Sequence, residues 1–280
     1  MTATYSLHQI ANEREFGFCA NDYSRFKFGD AAVAKKFGEF LADGFIKKHL
    51  LHGKIHQQLV VVSSPYSFIP TATFAMKNHF VFRLNRWLAA HHLPVVQETK
   101  VHRTITYKED YGELNAEQRM QLIGNDSFHI DADFLKGKII IFLDDIRITG
   151  SHERMIMKMA EAYHLTNDMY LLYFAELVNA DIHPNIENFL NYHCVKSIFD
   201  LEKIIQSANF FINTRIVKYI LNYDFDAFCV FIQNQPDDFI NLMYDMALGN
   251  GYHTIEAYEQ NLAFIKDCLL STQKQIQHGD

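Results

Sequence analysis

The chain has 280 residues, 49% hydrophobic and 21% charged, enough for one sizeable core or a core with an appendage. A net charge of −7 argues against a nucleic-acid scaffold, which needs a basic face, and no apolar run is long enough to span a membrane. The four cysteines (Cys19, Cys194, Cys229 and Cys268) lie far apart without a CxxC, which indicates neither a disulfide framework nor a thiolate metal site.

Residues 30–50 predict an amphipathic helix, because Val33, Phe37, Phe40, Leu41 and Phe45 recur at helical spacing behind Asp30, a natural N-cap. Gln58 to Ser64 is a β-branched run and reads as a buried strand. It ends in a loop bracketed by Pro65 and Pro70, and a second helix follows from Thr71 to His91. Another strand begins at Pro94-Val95-Val96-Gln97, and a long polar segment occupies 99–133. Lys138 to Leu143 is a strand buried on both faces, followed by a helical stripe of Met155, Ile156, Met159, Ala160 and Tyr163, then a strand from Met169 to Ala175. Strands alternating with helices imply an α/β, doubly wound parallel sheet, whose ligands sit outside the carboxyl ends of its strands.

From Phe199 the texture changes. Helices are predicted over 200–208, 214–222, 226–233, 236–248 and 254–270, with Pro236 at a first helical position and Gly249-Asn250-Gly251 as a stop. The expected organisation is an α/β domain over 1–198 and a helical extension over 199–280. Rich in Phe and Tyr, the extension either packs on the sheet domain or pairs with a second copy of the chain as a homodimer.

The segment with the most chemistry runs from Lys138 to Ser151: an apolar strand, then Asp144 and Asp145, then a Thr149-Gly150 turn into a helix. Two carboxylates at the end of a buried strand are costly there unless they bind something. The turn delivers backbone N–H groups at a helix start, which suits an anion. Acids for sugar hydroxyls beside a phosphate cradle describe a site for a phosphorylated sugar.

That arrangement resembles the phosphoribosyl diphosphate (PRPP) loop of the type I phosphoribosyltransferases. The resemblance implies that Asp144 and Asp145 hold the ribose hydroxyls and a Mg²⁺ ion. It also implies that Arg147, Ile148, Thr149, Gly150 and Ser151 wrap the 5′-phosphate. Two positions depart from the family pattern: Ile148 replaces a small or hydroxyl residue, and His152 replaces a frequent Thr. The loop Ser64, Pro65, Tyr66 and Ser67 would face the diphosphate, although it carries no basic residue where relatives often do. Such enzymes carry a mobile flap at the position of 99–133, and a polar segment of that length suits one. It supplies Arg103, Lys108 and Arg119 as cations for the leaving diphosphate.

Within the superfamily, Arg103-Thr104, then Leu114 to Arg119, then Asn125 to Phe128 resemble the ComF-like branch, over residues 20–180 and without the helical C-terminus. The chain is also similar to the ComF-like phosphoribosyltransferases of bacterial tellurite- and stress-linked gene clusters. The resemblance implies a Mg²⁺-dependent phosphoribosyltransferase acting on PRPP and a base-like nucleophilic acceptor, or the reverse phosphorolytic-type reaction, in nucleotide or nucleoside-like metabolism, with neither nucleic acid nor membrane as partner. The N-terminus lacks a secretory signal pattern, so a reducing cytoplasm is the expected location. The rival is a PRPP- or nucleotide-sensing protein that kept the fold and lost turnover. A third reading is a helical interaction module. Ser151-His152-Glu153-Arg154-Met155-Ile156 begins like a zinc-protease helix, but Ile156 stands at the second histidine position, so no zinc site follows.

Overall fold

The computed structural model describes residues 2–51, 57–104 and 127–277, those at 103, 104, 127 and 272–277 in backbone only. Five parallel strands form the central sheet: β1 (Thr2–Ile10), β2 (Leu59–Ser63), β3 (Gln97–Glu98), β6 (Ile139–Arg147) and β7 (Met169–Leu177). Their spatial order is β1-β7-β6-β2-β3. A small antiparallel pair, β4 (His102–Thr104) with β5 (Ser127–His129), lies apart from it.

The apolar runs explain the middle of the sheet. Leu59 to Val62 are buried, and they pair in register with Ile139 to Phe142. Along β6 the side chains alternate between two cores. Ile139, Ile141 and Leu143 pack with helices α1 (Ala20–Lys27), α2 (Ala31–Phe45) and α3 (Ala72–Ala90). Ile140 and Phe142 pack on the other face with α5 (Ser151–Ala162), which contributes Met155, Ile156 and Met159. A short helix α4 (Ala132–Leu135) adds Leu135 to that face. Helices on both faces of a parallel sheet make the doubly wound architecture expected from the sequence.

Asp30 caps α2 as expected, its side chain accepting from the N–H groups of Ala32 (3.0 Å) and Val33 (3.1 Å). The helix runs on into a π-helical turn at Ile46–Leu50. Gly38 lets α2 and α3 approach closely, since a Cβ there would sit 2.3 Å from the Met76 carbonyl oxygen.

Among the described residues the remaining α-helices are α6 (Ile186–Asn191), α7 (Glu202–Ile205), α8 (Thr214–Leu221), α9 (Phe225–Gln233), α10 (Asp237–Gly249) and α11 (Glu256–Gln277). Buried Phe228, Phe231, Met243 and Ile265 make a third core among the last four of these. Phe28 and Ile69, far earlier in the chain, belong to that core as well.

Several boundaries differ from expectation. The N-terminal strand β1 was not anticipated; it pairs with β7 along its length, and its half-exposed edge position mutes the apolar signal. The strand expected from Pro94 shrinks to Gln97–Glu98. Pro236 is the N-cap of α10 rather than its first helical residue. The helix expected over 200–208 splits into a 3₁₀ turn at Ile198–Leu201 and α7. The strand β6 runs past the acids to Arg147, so Asp144 and Asp145 fall on opposite faces of one strand. Part of the expected flap, residues 105–126, lies outside the described residues.

Candidate functional site

β2 leads through α3 to β3 on one side, and β6 leads through α5 to β7 on the other. The connections therefore diverge between β2 and β6, which is where doubly wound sheets open a ligand crevice. A cleft of about 210 Å³ lies there, lined by the strand ends and by the starts of α3 and α5.

Both acids line it and both are deeply held. Asp144 Oδ1 accepts from Ser64 Oγ (2.6 Å) and from its neighbour's N–H, that of Asp145 (2.9 Å). Its Oδ2 accepts from His152 Nδ1 at 2.7 Å. Asp145 points to the other face, where Oδ2 accepts from Tyr23 at 2.6 Å and pairs with the Lys27 ammonium. The Thr73 hydroxyl lies 3.4 Å from Asp144 Oδ1 and 3.2 Å from Asp145 Oδ1, bridging the two. Burial works to raise the Asp144 pKa, but the His152 imidazole and the hydrogen bonds from Ser64 and Asp145 hold it well below the usual carboxylate range. Burial pushes the Tyr23 phenol far up, and the Asp145 charge adds to that, so Tyr23 stays protonated and donates to the carboxylate.

The turn after β6 starts α5. Gly150 adopts φ +68°, a left-handed conformation that a side chain would strain. The hydroxyls of Thr149 and Ser151 share a hydrogen bond at 2.8 Å. Arg154 braces the turn from below, donating to the Thr149 carbonyl (2.9 Å) and to Ser151 Oγ (3.1 Å). Arg147 is tied to Glu153 (2.6 Å) and Glu176 (2.5 Å). Burial opposes its charge, but those two carboxylates raise its pKa and fix it as a strut of the loop.

The residues expected to act together largely meet here. Asp144, Asp145, Arg147, Ile148, Thr149, Gly150, Ser151, Ser64, Pro65 and Tyr66 all line the cleft. Ser67 does not; its carbonyl accepts from Lys100 Nζ at 2.6 Å. Lys100 also sits 3.9 Å over the Tyr66 ring, so the loop after β2 borrows a cation that its own sequence lacks. The N–H groups of Phe68 and Ile69 are both taken by Asn250 Oδ1, at 3.0 and 3.1 Å. Of the expected flap cations, Arg103 lies on β4 and its side chain is not described, while Lys108 and Arg119 fall outside the described residues.

Several further groups in the cleft were not anticipated, these five among them. Lys27 comes from α1, Thr73 from α3, Tyr173 from β7, and Arg215 and Lys218 from α8. Tyr23 and Lys27 sit four apart on α1, a pairing visible in sequence, but nothing there ties them to Asp145. Tyr173 is buried opposite Asp144 in the β6–β7 register, and its hydroxyl has no hydrogen-bond partner among the described residues. Burial, then the charges of Asp144 and Glu153, push its phenol far above the ordinary value, so it stays protonated.

The family model described as PRTase ComF-like matches residues 1–265. The chain belongs to the ComF-like phosphoribosyltransferase family. Its match takes in most of the C-terminal helices, which corrects the expectation that the resemblance stops near residue 180. Among solved structures, the chain is similar to a hypoxanthine phosphoribosyltransferase from Staphylococcus aureus, with 12% identity over 61% of this chain and 73% of that one, at a TM-score of 0.32. It is similar to the L. donovani hypoxanthine-guanine phosphoribosyl transferase at 13% identity, over 52% of this chain and 73% of that one, TM-score 0.32. The Trypanosoma cruzi hypoxanthine phosphoribosyl transferase is 15% identical, over 58% of this chain and 77% of that one, TM-score 0.28. No curated protein matches the chain. Among the described residues no helix is long and apolar enough to cross a membrane.

Proposed function

We propose that this member of the ComF-like family is a Mg²⁺-dependent phosphoribosyltransferase that takes PRPP and a base-like acceptor. The observation that carries the reading is the acid pair Asp144–Asp145 beside the Thr149–Ser151 turn, at the point where the sheet connections diverge. Family membership supports it.

In this reading the backbone N–H groups at the start of α5 hold the 5′-phosphate, with Arg154 and Arg147 keeping the turn in shape. Asp144 and Asp145 orient the ribose hydroxyls. The bond from C1 to diphosphate breaks with its electron pair leaving on diphosphate, and the acceptor nitrogen forms the new bond to C1. Charge develops on the ribose ring and on the leaving group, so fixed dipoles and cations around both carry the rate. Among the described residues no three His, Cys, Asp or Glu side chains gather as a metal cage. The donor set nonetheless fits Mg²⁺, which keeps several waters and relies on one or two carboxylates plus substrate phosphates. Asp144 and Asp145 would hold it through that water shell, and it would supply neutralisation of the diphosphate.

Thermal stability with PRPP, with and without Mg²⁺, tests the reading. PRPP at a hundred times its dissociation constant should add about 2.7 kcal/mol to the wild type. Asp144→Asn with Asp145→Asn should abolish the gain; unchanged affinity in that variant would refute the assignment. One observation favours a second reading, a catalytically silent PRPP- or nucleotide-sensing protein. Every carboxylate oxygen of the acid pair already has a partner within the protein. Diphosphate release across a panel of bases separates the two, because a sensor binds PRPP and releases none.

A further inference from the structure

Two walls of the cleft have an assigned role under the proposed function: the Thr149–Ser151 turn and the acid pair with Ser64. A third wall comes from the C-terminal helices. Arg215 and Lys218, three residues apart on α8, both present to the cleft, next to Thr214 at the helix start. Glu187 of α6 lines the cleft as well, and so does Lys27, which pairs with Asp145. Arg215 also donates to the Tyr192 hydroxyl at 3.4 Å, with its guanidinium 5.6 Å from that ring's centre, which holds the side chain over an aromatic face.

The position of α8 is rigidly set against the other anion-handling elements. The Asn213 side chain caps the helix, accepting from Arg215 N–H (3.0 Å) and Ile216 N–H (3.2 Å), while its amide donates to the Lys27 carbonyl (3.2 Å). The Thr214 hydroxyl lies within hydrogen-bonding distance of the Ile69 (2.9 Å) and Pro70 (3.2 Å) carbonyls, at the end of the loop after β2. From there the chain enters α3 at Thr71, whose Oγ1 is buried and without a hydrogen-bond partner among the described residues, and which lines the same cleft. The loop after β2 has no basic side chain of its own, and two of its N–H groups are taken by Asn250. Lys100 serves that loop from over the Tyr66 ring without lining the cleft, and α8 adds Arg215 and Lys218 to the cleft lining.

We infer that Arg215 and Lys218 form a second oxyanion subsite in the cleft, separate from the 5′-phosphate turn. The inference rests on the proposed function, and it gives the C-terminal helices a direct part in the ligand site. The subsite takes a polyanionic or carboxylate group, which could come from the diphosphate of PRPP or from an acidic acceptor. Guanidinium and ammonium groups reach such oxygens through charge-assisted hydrogen bonds, the strong class.

Calorimetry on the full chain tests this, using ribose 5-phosphate, PRPP, inorganic diphosphate, and the aromatic carboxylates nicotinate and orotate against neutral hypoxanthine. Arg215→Gln and Lys218→Gln should leave ribose 5-phosphate affinity unchanged, which also shows that the variants fold. They should lose roughly tenfold or more in affinity for the group the subsite takes. A loss confined to PRPP and diphosphate assigns the leaving group, and a loss confined to the carboxylates, measured with PRPP present, assigns the acceptor. Arg215→Lys should recover part of the loss. Equal loss for ribose 5-phosphate and every other ligand, or no loss for any, overturns the subsite. A wild type that binds neither ribose 5-phosphate nor PRPP instead refutes the proposed function.

Discussion

Asn250, the residue that ends α10, reaches back to Phe68: its Oδ1 accepts the Phe68 N–H at 3.0 Å and the adjacent Ile69 N–H at 3.1 Å. Two residues 182 apart thus join the C-terminal helices to the loop that follows β2. Gly249 completes the contact, because a Cβ there would stand 2.4 Å from the Phe68 ring. Asn250→Ala removes one acceptor from two N–H groups. Phe68 is exposed, so water replaces part of the loss, and a cost of about 1–2 kcal/mol in urea denaturation is expected. A variant as stable as the wild type would show that the clamp contributes nothing.

Lys27 and Asp145 are the most consequential ion pair at the site, with side chains only 12% and 8% exposed. Lys27→Met leaves a buried carboxylate with only hydroxyl donors, those of Tyr23 and Thr73. Breaking such a pair from one side costs about 3–5 kcal/mol. Lys27→Met combined with Asp145→Asn should cost clearly less than the sum of the single changes, measured as a double-mutant cycle. Additive losses would mean that the two groups are not coupled.

The Asp144 carboxylate is the group whose ionisation matters for acid stability. Its pKa is depressed in the folded chain, so it stabilises the fold above the ordinary carboxylate pKa of about 3.9. That contribution drains away as pH falls from there toward the depressed folded value. His152→Ala removes the main group holding it down. The variant should be less stable at neutral pH and lose less on acidification below about pH 4. Parallel stability-versus-pH curves for the two proteins would contradict the assigned coupling.

Tyr173 places a protonated hydroxyl at the cleft with no protein partner among the described residues. Tyr173→Phe removes a polar group left unsatisfied without ligand, so stability should hold or rise by up to about 1 kcal/mol. Affinity for PRPP should fall by roughly tenfold if the hydroxyl donates to the ligand. Lower stability with intact binding would assign the hydroxyl a structural role instead.

The sheet was legible in the sequence because its central strands are buried on both faces. Val60 to Val62 and Ile139 to Leu143 must be apolar at every position, and that leaves an uninterrupted run. The acid pair and the Thr149-Gly150 turn stood out for the same local reason, since strand, charge and helix start are consecutive. β1 and α1 were not legible. β1 is an edge strand with only Tyr5 and Ile10 buried, and α1 is only eight residues long with a weakly apolar face.

Which side chains surround the acids was a question only the tertiary structure answered. Tyr23 and Lys27 meet Asp145 across more than a hundred residues, and α8 brings Arg215 to the cleft from the far end of the chain. Spacing reports periodicity within one element, and it carries no record of which elements pack together. The local pattern of Asp144 to Ser151 was written into consecutive residues; its cationic surroundings exist only because the helices fold back over the sheet.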